Sequence, residues 1–237
     1  MSLPTFNQRQ VNVLAAIVQE YVATAQPVAS KVLAEKFEFG VSPATLRNDM
    51  ATLEEFDLLR QPHTSAGRVP TENGYRLYLE QFVKKQQAIC KPTQVMQEVV
   101  RAAESPRELV REMAKHLMKL SGETAVASLD TGWSHYTGIS HLFHKPEFRN
   151  IDMLHSLSQA VDRFDDVLRD LFPDVRDETN VWIGGENPFG KQMATVMVKY
   201  ELPNGMTGVL GLVGPLRMQY EKNIHLLEQA KKVLTKG

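Results

Sequence analysis

The segment VSPATLRNDMATLEEFDLL (residues 41–59) constrains the fold most, because it predicts a helix with an abrupt start. Ser42 is a favourable N-cap, and Pro43 suits the first helical position, where no backbone donor is lost. Three apolar residues follow at helical spacing and predict a buried stripe: Leu46, Met50 and Leu53. The residues left facing outward in the first turns are Ala44, Thr45, Arg47 and Asn48.

Two further helices are predicted before this segment. Residues 6–22 carry apolar side chains at spacings of three and four, and Thr5 with Gln8 resembles a capping box in front of them. A shorter helix is predicted over about 29–37, and the link to the third helix contains Gly40. Three helices with a glycine-bearing turn before the third indicate a helix-turn-helix.

A two-stranded ribbon is predicted after the third helix. Residues 58–62 and 68–70 can form short strands around the small-residue turn HTSAG, and a ribbon in this place is a wing. Thr71 can then cap a fourth helix, whose aromatic side chains would pack against the core or a second subunit. We expect this winged helix-turn-helix domain to cover residues 1–88.

Residues 89–237 predict a mixed domain, so the whole chain is assigned to the α+β class. We expect helices over residues 93–103, 106–120, 154–172 and 217–235. We expect strands over residues 123–129, in NVWIGG and on either side of a Pro-Asn-Gly turn, over 194–202 and 206–213. Residues 131–150 predict irregular structure.

Composition points to an ordinary globular protein, with 43% apolar and 23% charged residues. The one cysteine, Cys90, cannot form an internal disulfide, which is typical of a reducing compartment. The start MSLPTFNQRQ lacks the pattern of a signal peptide, and no stretch approaches the ~18 consecutive apolar residues of a membrane helix. We expect a cytoplasmic protein without a membrane segment.

The charge balance by itself does not favour nucleic-acid binding. The net charge is −1, and residues 1–90 hold nine Lys or Arg against nine Asp or Glu. A pI above about 9 is the usual electrostatic signature of a DNA-binding domain. A DNA-binding hypothesis must therefore rest on where the charges lie.

The third helix has the side chains that read bases. The second helix of a helix-turn-helix lies in the major groove, where its N-terminal residues reach base edges. Arg can bind guanine, Asn can bind adenine, and Ala or the Thr methyl can contact thymine. The expected base readers are Ala44, Thr45, Arg47 and Asn48. The expected backbone and wing contacts are Lys31, Ser42, Arg60, His63, Thr64, Ser65 and Arg68.

The pattern leaves two alternatives open. Ser-Pro begins many ordinary helices, and Arg47 could pair with Glu54 or Asp49 on a solvated face. Winged helices also serve as protein-interaction modules without DNA affinity. A regulator that senses a small ligand is a further alternative, although the sequence names no ligand or cofactor.

The N-terminal half resembles the bacterial heat-inducible transcription repressor HrcA family. The resemblance is carried by PVASKVLAEKF and by VSPATLRNDMATLEEFDLLRQPHTSAGRVPTENGYR, and continues in HKPEF (144–148), IGGENP (183–188) and GVLGLVGPLRMQYE (208–221). It implies a dimeric winged-helix repressor on an inverted-repeat DNA operator of heat-shock, chaperone-encoding genes. It also implies that the chaperonin GroEL supports the active fold.

The chain departs from the family between SLDT (128–131) and YTGISHLFHKPEF (136–148), which nearly abut. Family members usually carry the rest of a GAF-like domain and an inserted dimerisation segment there. We therefore expect a reduced GAF-like domain. We also expect dimerisation through the aromatic helix after the wing and the helices near the linker.

Other chemistry is weakly indicated. His135, His141 and His144, with Glu147, could supply metal ligands, but glycines interrupt the segment and surface histidines are favoured. IGGENP lacks the spacing of known phosphate loops, so a strand-to-turn role is favoured. Arg217 could bind an anion or tie its helix to the hairpin. The sequence contains no recognisable catalytic nucleophile or paired carboxylates, so we expect no enzyme.

Overall fold

The computed structural model describes residues 6–63, 67–83, 94–130, 132–149 and 158–237. The chain divides into two compact units, Met1–Gln87 and Ala88–Gly237. Helices and strands occur in both, and the second unit contains a five-stranded antiparallel sheet, so the predicted α+β class is confirmed. None of the described helices is long and apolar enough to cross a bilayer.

The first unit begins with three helices: α1 (Gln8–Thr24), α2 (Ser30–Lys36) and α3 (Pro43–Glu55). The capping box of α1 consists of Asn7 and Gln10, because each side chain accepts the backbone N–H of the other, at 2.9 and 3.1 Å. The expected box of Thr5 and Gln8 was wrong by two residues, since Asn7 supplies the oxygen one residue before the helix. Thr5 itself lies outside the described residues.

A short antiparallel hairpin follows, made of β1 (Leu59–Arg60) and β2 (Val69–Pro70). A third segment extends it, because the backbones of Val28 and Arg68 exchange two hydrogen bonds of 2.8 Å. The hairpin is thus attached to the chain that leads into α2.

Helix α4 (Glu72–Tyr78) closes the first unit and continues as a π-helical turn, Leu79–Val83. Thr71 is its N-cap, since the Thr71 hydroxyl accepts the Gly74 N–H at 3.1 Å, as the sequence predicts. Tyr75 and Tyr78 are 1% and 5% exposed within this single chain. Their rings are therefore packed into the core rather than presented to a second subunit.

The second unit is organised around its sheet, which has the strand order β4-β3-β7-β6-β5. The strands are β3 (Thr124–Leu129), β4 (Ser134–Thr137), β5 (Asn180–Ile183), β6 (Met193–Glu201) and β7 (Thr207–Pro215). The helices are α5 (Gln94–Ala102), α6 (Pro106–Ser121), α7 (Ile139–His144), α8 (Phe164–Leu171) and α9 (Tyr220–Lys236).

Both faces of the sheet are covered. Helix α6 contacts β3, and α9 contacts β6. Alternate residues of the strands, among them Val126, Met197 and Val213, join Phe164 and Phe189 in one buried apolar cluster. The β3–β7–β6 strands are consequently buried along almost their whole length.

Two sequence expectations for this unit were wrong. Residues 131–150 were expected to be irregular, but they contain β4, α7 and a 3-10 turn, Pro146–Arg149. Strand β4 is short and lacks apolar alternation, so only its pairing with β3 reveals it. The single helix expected over 154–172 is interrupted at Arg163 (φ −107°, ψ 5°), while 154–157 lie outside the described residues.

Strands β3 and β4 remain paired up to the ends of the connection between them. Ser128 pairs with Ser134, and the Leu129 N–H donates to the Trp133 carbonyl at 2.8 Å. Gly132 has a positive φ of 77°, which a glycine adopts without strain. The sheet is thus continuous where the sequence blocks SLDT and YTGIS nearly abut.

Candidate nucleic-acid interface

The first turns of α3 present polar side chains on one face and apolar side chains on the other. The Ser42 hydroxyl accepts the Thr45 N–H at 3.2 Å, so Ser42 is the N-cap and Pro43 occupies the first turn. The residues buried beneath are Leu46, Asp49, Met50 and Leu53. Ala44, Arg47 and Asn48 are exposed. The structure therefore leaves three of the four predicted base readers accessible.

Thr45, the fourth predicted base reader, is half-buried. Its hydroxyl lies 3.0 Å from the Ser42 hydroxyl, so that oxygen is engaged within the cap. The methyl group is the part of Thr45 best suited to contact a ligand.

An ion pair fixes α3 against α1. The Arg9 guanidinium donates to both oxygens of Asp49, with Nε at 2.7 Å and Nη2 at 3.2 Å. Asp49 is only 5% exposed, and its hydrogen bond and charge raise the pKa of Arg9 above the ordinary value. The bidentate geometry holds the helix at a defined rotation about its axis.

A second ion pair fixes the hairpin against the last turn of α3. Glu54 accepts the Gln61 N–H at 3.0 Å with one carboxylate oxygen and the Arg68 Nε at 2.8 Å with the other. Both acids proposed as partners of Arg47 are therefore bound to other groups, Asp49 to Arg9 and Glu54 to Arg68. Within the described residues, Arg47 forms no ion pair with either.

Arg68 lies in a different environment from the one expected. Its side chain is 15% exposed and its guanidinium is paired with Glu54, so it is not a freely extended wing arginine. The sequence pattern could not show this, because the two residues are brought together by the fold. A contact between Arg68 and DNA stays a prediction, and any such contact would use the part of the guanidinium that Glu54 leaves exposed.

The remaining predicted contact residues are exposed or lie outside the described residues. Lys31 is 82% exposed and 3.8 Å from Glu35, an i,i+4 pair that leaves the ammonium accessible. Arg60 and His63 are exposed. Thr64 and Ser65 lie outside the described residues.

Two glycines of the first unit allow close contacts that the sequence did not predict. A Cβ on Gly67 would collide with the Val28 carbonyl, and a Cβ on Gly74 would collide with the Leu58 carbonyl oxygen. Gly67 lets the hairpin pair with residue 28, and Gly74 lets α4 approach the start of β1. An isolated glycine inside the predicted fourth helix is the signal that could have indicated the close approach at Gly74, whereas Gly67 lies in the predicted turn, where a glycine is common.

The second unit contains a buried charge cluster. Glu123 is 3% exposed, and its carboxylate accepts from the Lys145 Nζ at 2.9 Å. Burial raises the pKa of Glu123, while the Lys145 charge opposes that shift. Nearby, Glu147 pairs with Arg217. HKPEF and GPLRMQYE therefore meet here, because Arg217 ties its segment to Glu147 of HKPEF.

The other segments considered for chemistry have structural contacts. The Asn187 amide donates to the Trp182 carbonyl at 3.1 Å and to the Thr195 hydroxyl at 3.0 Å, which anchors IGGENP as a strand-to-turn connection. His144 Nδ1 lies 2.6 Å from the Ser140 carbonyl oxygen. Across the parts of the chain that the structure describes, no group of three His, Cys, Asp or Glu could hold a metal ion.

Comparison with protein families matches residues 76–224 to the HrcA protein C terminal domain. The chain belongs to the HrcA family. This membership agrees with the sequence resemblance, and because the family consists of heat-inducible transcription repressors, the HrcA-family protein is not an enzyme.

Curated relatives match at two levels. The heat-inducible transcription repressor HrcA of Moorella thermoacetica is 26% identical over 326 residues, covering 93% of this chain and 94% of the relative. That of Synechococcus elongatus is 43% identical over 134 residues, covering 56% of this chain and 38% of the relative. The Moorella match is longer than this chain of 237 residues, so the relative contains an internal stretch that this chain lacks.

A crystal structure of a hypothetical protein matches with a TM-score of 0.73 and 19% identity, covering 98% of both chains. This similarity concerns the fold alone.

Proposed function

We propose that this HrcA-family protein is a sequence-specific DNA-binding repressor of heat-shock (chaperone) genes. The observation that carries the proposal is the N-terminal part of α3, where Arg47 and Asn48 are exposed above a fully buried apolar stripe. Exposed polar residues of this kind contribute nothing to the packing of their own unit. Their chemistry matches the edges of guanine and adenine.

The neighbouring positive charges support a duplex as the partner. Lys31 and Arg60 are exposed on elements that flank α3, and the hairpin base is attached to the same helix through Glu54. The unit has no overall positive charge, so recognition would depend on this local arrangement. We propose the roles of base reading for Ala44, Thr45, Arg47 and Asn48, and of backbone contact for Lys31, Ser42, Arg60, His63, Thr64, Ser65 and Arg68.

We further propose that the protein binds an inverted-repeat operator as a homodimer. Two copies of one helix-turn-helix unit naturally read a palindromic site. Dimerisation was expected to use the aromatic helix α4 and the helices near the linker. Tyr75 and Tyr78 of α4 are buried, whereas Val95 of α5 is an apolar residue that is 46% exposed. We therefore propose α5 as the dimer contact. Light scattering after size-exclusion chromatography should give a dimer, and Val95→Glu should shift the population toward monomer.

The second unit is proposed to be a reduced GAF-like domain that regulates or supports dimerisation. Two observations support a reduced domain. Strands β3 and β4 are directly connected, and the Moorella protein contains an internal stretch that this chain lacks. Support of the active fold by the chaperonin GroEL is proposed from the family resemblance. Equal operator occupancy with and without GroEL, across temperatures, would contradict that part.

The deciding experiment is fluorescence anisotropy with a labelled inverted-repeat duplex and a scrambled duplex over a salt series. We expect a preference for the repeat of about 10³ or more. Equal and steeply salt-dependent binding to both duplexes would contradict sequence-specific recognition. Absence of binding to either would favour the alternative of a protein-interaction module.

A further inference from the structure

One acidic side chain connects the proposed recognition helix to both arms of the hairpin. Glu54 lies in the last turn of α3 and uses one oxygen for the Gln61 N–H and the other for Arg68. Gln61 directly follows β1, and Arg68 directly precedes β2. The carboxylate therefore holds the two chain segments where they leave the paired strands.

The hairpin depends on such contacts from outside because its own ladder is minimal. Each strand has two residues, and an isolated two-stranded hairpin is at best marginally stable. Arg68 is held twice, by the backbone bridge to Val28 and by the side-chain pair with Glu54. The Glu54 and Arg68 side chains are 33% and 15% exposed, so solvent screens this pair only in part.

We propose that Glu54 is a positioning residue for DNA recognition. By holding Gln61 and Arg68, it fixes the hairpin relative to α3, so that base contacts and hairpin contacts are made in one register. This inference rests on the proposed function. It also accounts for a glutamate near a surface that should attract phosphates, since the charge of Glu54 is neutralised by Arg68.

The test compares Glu54→Gln, Arg68→Gln and the double variant in the full-length protein. The measured quantity is the ratio of affinities for the inverted-repeat and scrambled duplexes at several salt concentrations. Each single variant should lower this ratio by about fivefold or more, and the double variant should lower it no further, because both changes break one coupled contact.

Glu20→Gln is a matched control. Glu20 on α1 pairs with Lys36 on α2 at 2.6 Å, and this substitution also removes one negative charge and one ion pair between elements of the same unit. It does not touch the hairpin. Because both Glu variants remove a negative charge, a general electrostatic gain in DNA affinity should appear in both. The ratio of affinities for the inverted-repeat and scrambled duplexes should fall only in Glu54→Gln.

Hydrogen exchange of the hairpin amides without DNA gives a second readout. Exchange at the amides of residues 59–61, 68 and 69 should be faster in Glu54→Gln and Arg68→Gln than in wild type or Glu20→Gln. Faster exchange with an unchanged affinity ratio would reduce Glu54 to a stabilising role and overturn the proposal. Unchanged exchange together with an unchanged affinity ratio would also overturn the proposal.

Failure of the proposed function is distinguishable from failure of this inference. A wild-type protein that shows no preference between duplexes would overturn the repressor proposal. The exchange measurement would still report whether Glu54 positions the hairpin, and unchanged exchange would overturn that as well.

Discussion

The two units use charged residues in opposite ways. In α3, Arg47 and Asn48 face outward, and the ion pairs Arg9–Asp49 and Arg68–Glu54 lie beneath or beside them. In the second unit, the charged residues of HKPEF are paired within the unit, Lys145 with Glu123 at the start of β3 and Glu147 with Arg217 of GPLRMQYE. The segments of both units resemble the family, but their charged residues differ: Arg47 forms no ion pair with Asp49 or Glu54, whereas Lys145, Glu147 and Arg217 are all paired.

This difference separates residues that maintain the fold from residues available for binding. A buried ion pair is strongly destabilised when one partner is removed, because the other charge remains uncompensated. An exposed, unpaired side chain contributes little to stability. Substitutions in the two regions should therefore affect different properties, and the following predictions test that separation.

The largest effect on stability is expected for Lys145→Ala. It leaves Glu123 buried at 3% exposure without its counter-charge and should cost about 3–5 kcal/mol of unfolding free energy in the second unit. Denaturant unfolding measures this. The exposed Lys31–Glu35 pair, at 3.8 Å, is the control, since Lys31→Ala should change stability by less than about 1 kcal/mol. Similar losses in both variants would contradict the comparison.

Arg47→Ala should have the converse result. If Arg47 reads a base as proposed, the variant should lose roughly 1–3 kcal/mol of discrimination between operator and scrambled DNA. Its melting temperature should not change, because the side chain is exposed. Arg60→Ala is the comparison for a phosphate contact and should weaken both duplexes equally, lowering the salt slope by about one. An equal loss on both duplexes for Arg47→Ala would show that Arg47 does not read bases.

Gly67→Ala tests whether the hairpin needs its close approach to Val28. The new Cβ would collide with the Val28 backbone, so the hairpin must move, at a cost of roughly 1–3 kcal/mol in the first unit. Gly185→Ala adds the same methyl group where no atom lies within 4 Å and should be near neutral. Thermal unfolding measures both, and a neutral Gly67→Ala would indicate that the Val28–Arg68 bridge is dispensable.

The smallest effect concerns pH. Burial lowers the pKa of His116, helped by Lys119, and lowers the pKa of His135, helped by Lys115 and Arg111. Because these folded-state pKa values are depressed, the stabilisation is present above the unfolded value of about 6.5 and is lost as pH falls through the folded values. Wild type should therefore lose melting temperature between about pH 7.5 and 5.5.

The variant carrying His116→Gln and His135→Gln should lose less over the same range, by no more than about 2–4 °C. The raised pKa of Glu123 acts with the opposite sign, favouring the fold as pH falls, but it is common to both proteins and cancels in the difference. The exposed His63→Gln is the control and should follow wild type. Identical pH profiles for the double variant and wild type would contradict the assignment.

Local sequence signals determined much of the first unit. Ser42 followed by Pro43 begins α3 as predicted, the stripe of Leu46, Met50 and Leu53 is buried, and Thr71 caps α4. Caps and apolar periodicity act within one or two turns, so they are readable without the fold. The same reasoning predicted the strands on either side of the Pro-Asn-Gly turn.

Sequence reasoning was weaker where structure depends on distant partners. Strand β4 is stabilised by pairing with β3, and the break at Arg163 lies within what had seemed a continuous amphipathic pattern. Gly67 and Gly74 had no evident role until the carbonyls of residues 28 and 58 were located beside them. None of these contacts leaves a local period in the sequence.

The sequence by itself determined the family, the α+β class and the outward residues Ala44, Arg47 and Asn48, because these follow from local motifs and helical periodicity. Only the tertiary structure decided which charges remain available. Glu54 was a candidate partner for Arg47, but the fold brings the hairpin to it and pairs it with Arg68, fourteen residues further along the chain. Ion pairing depends on distance in space, and spacing along the chain does not encode that distance.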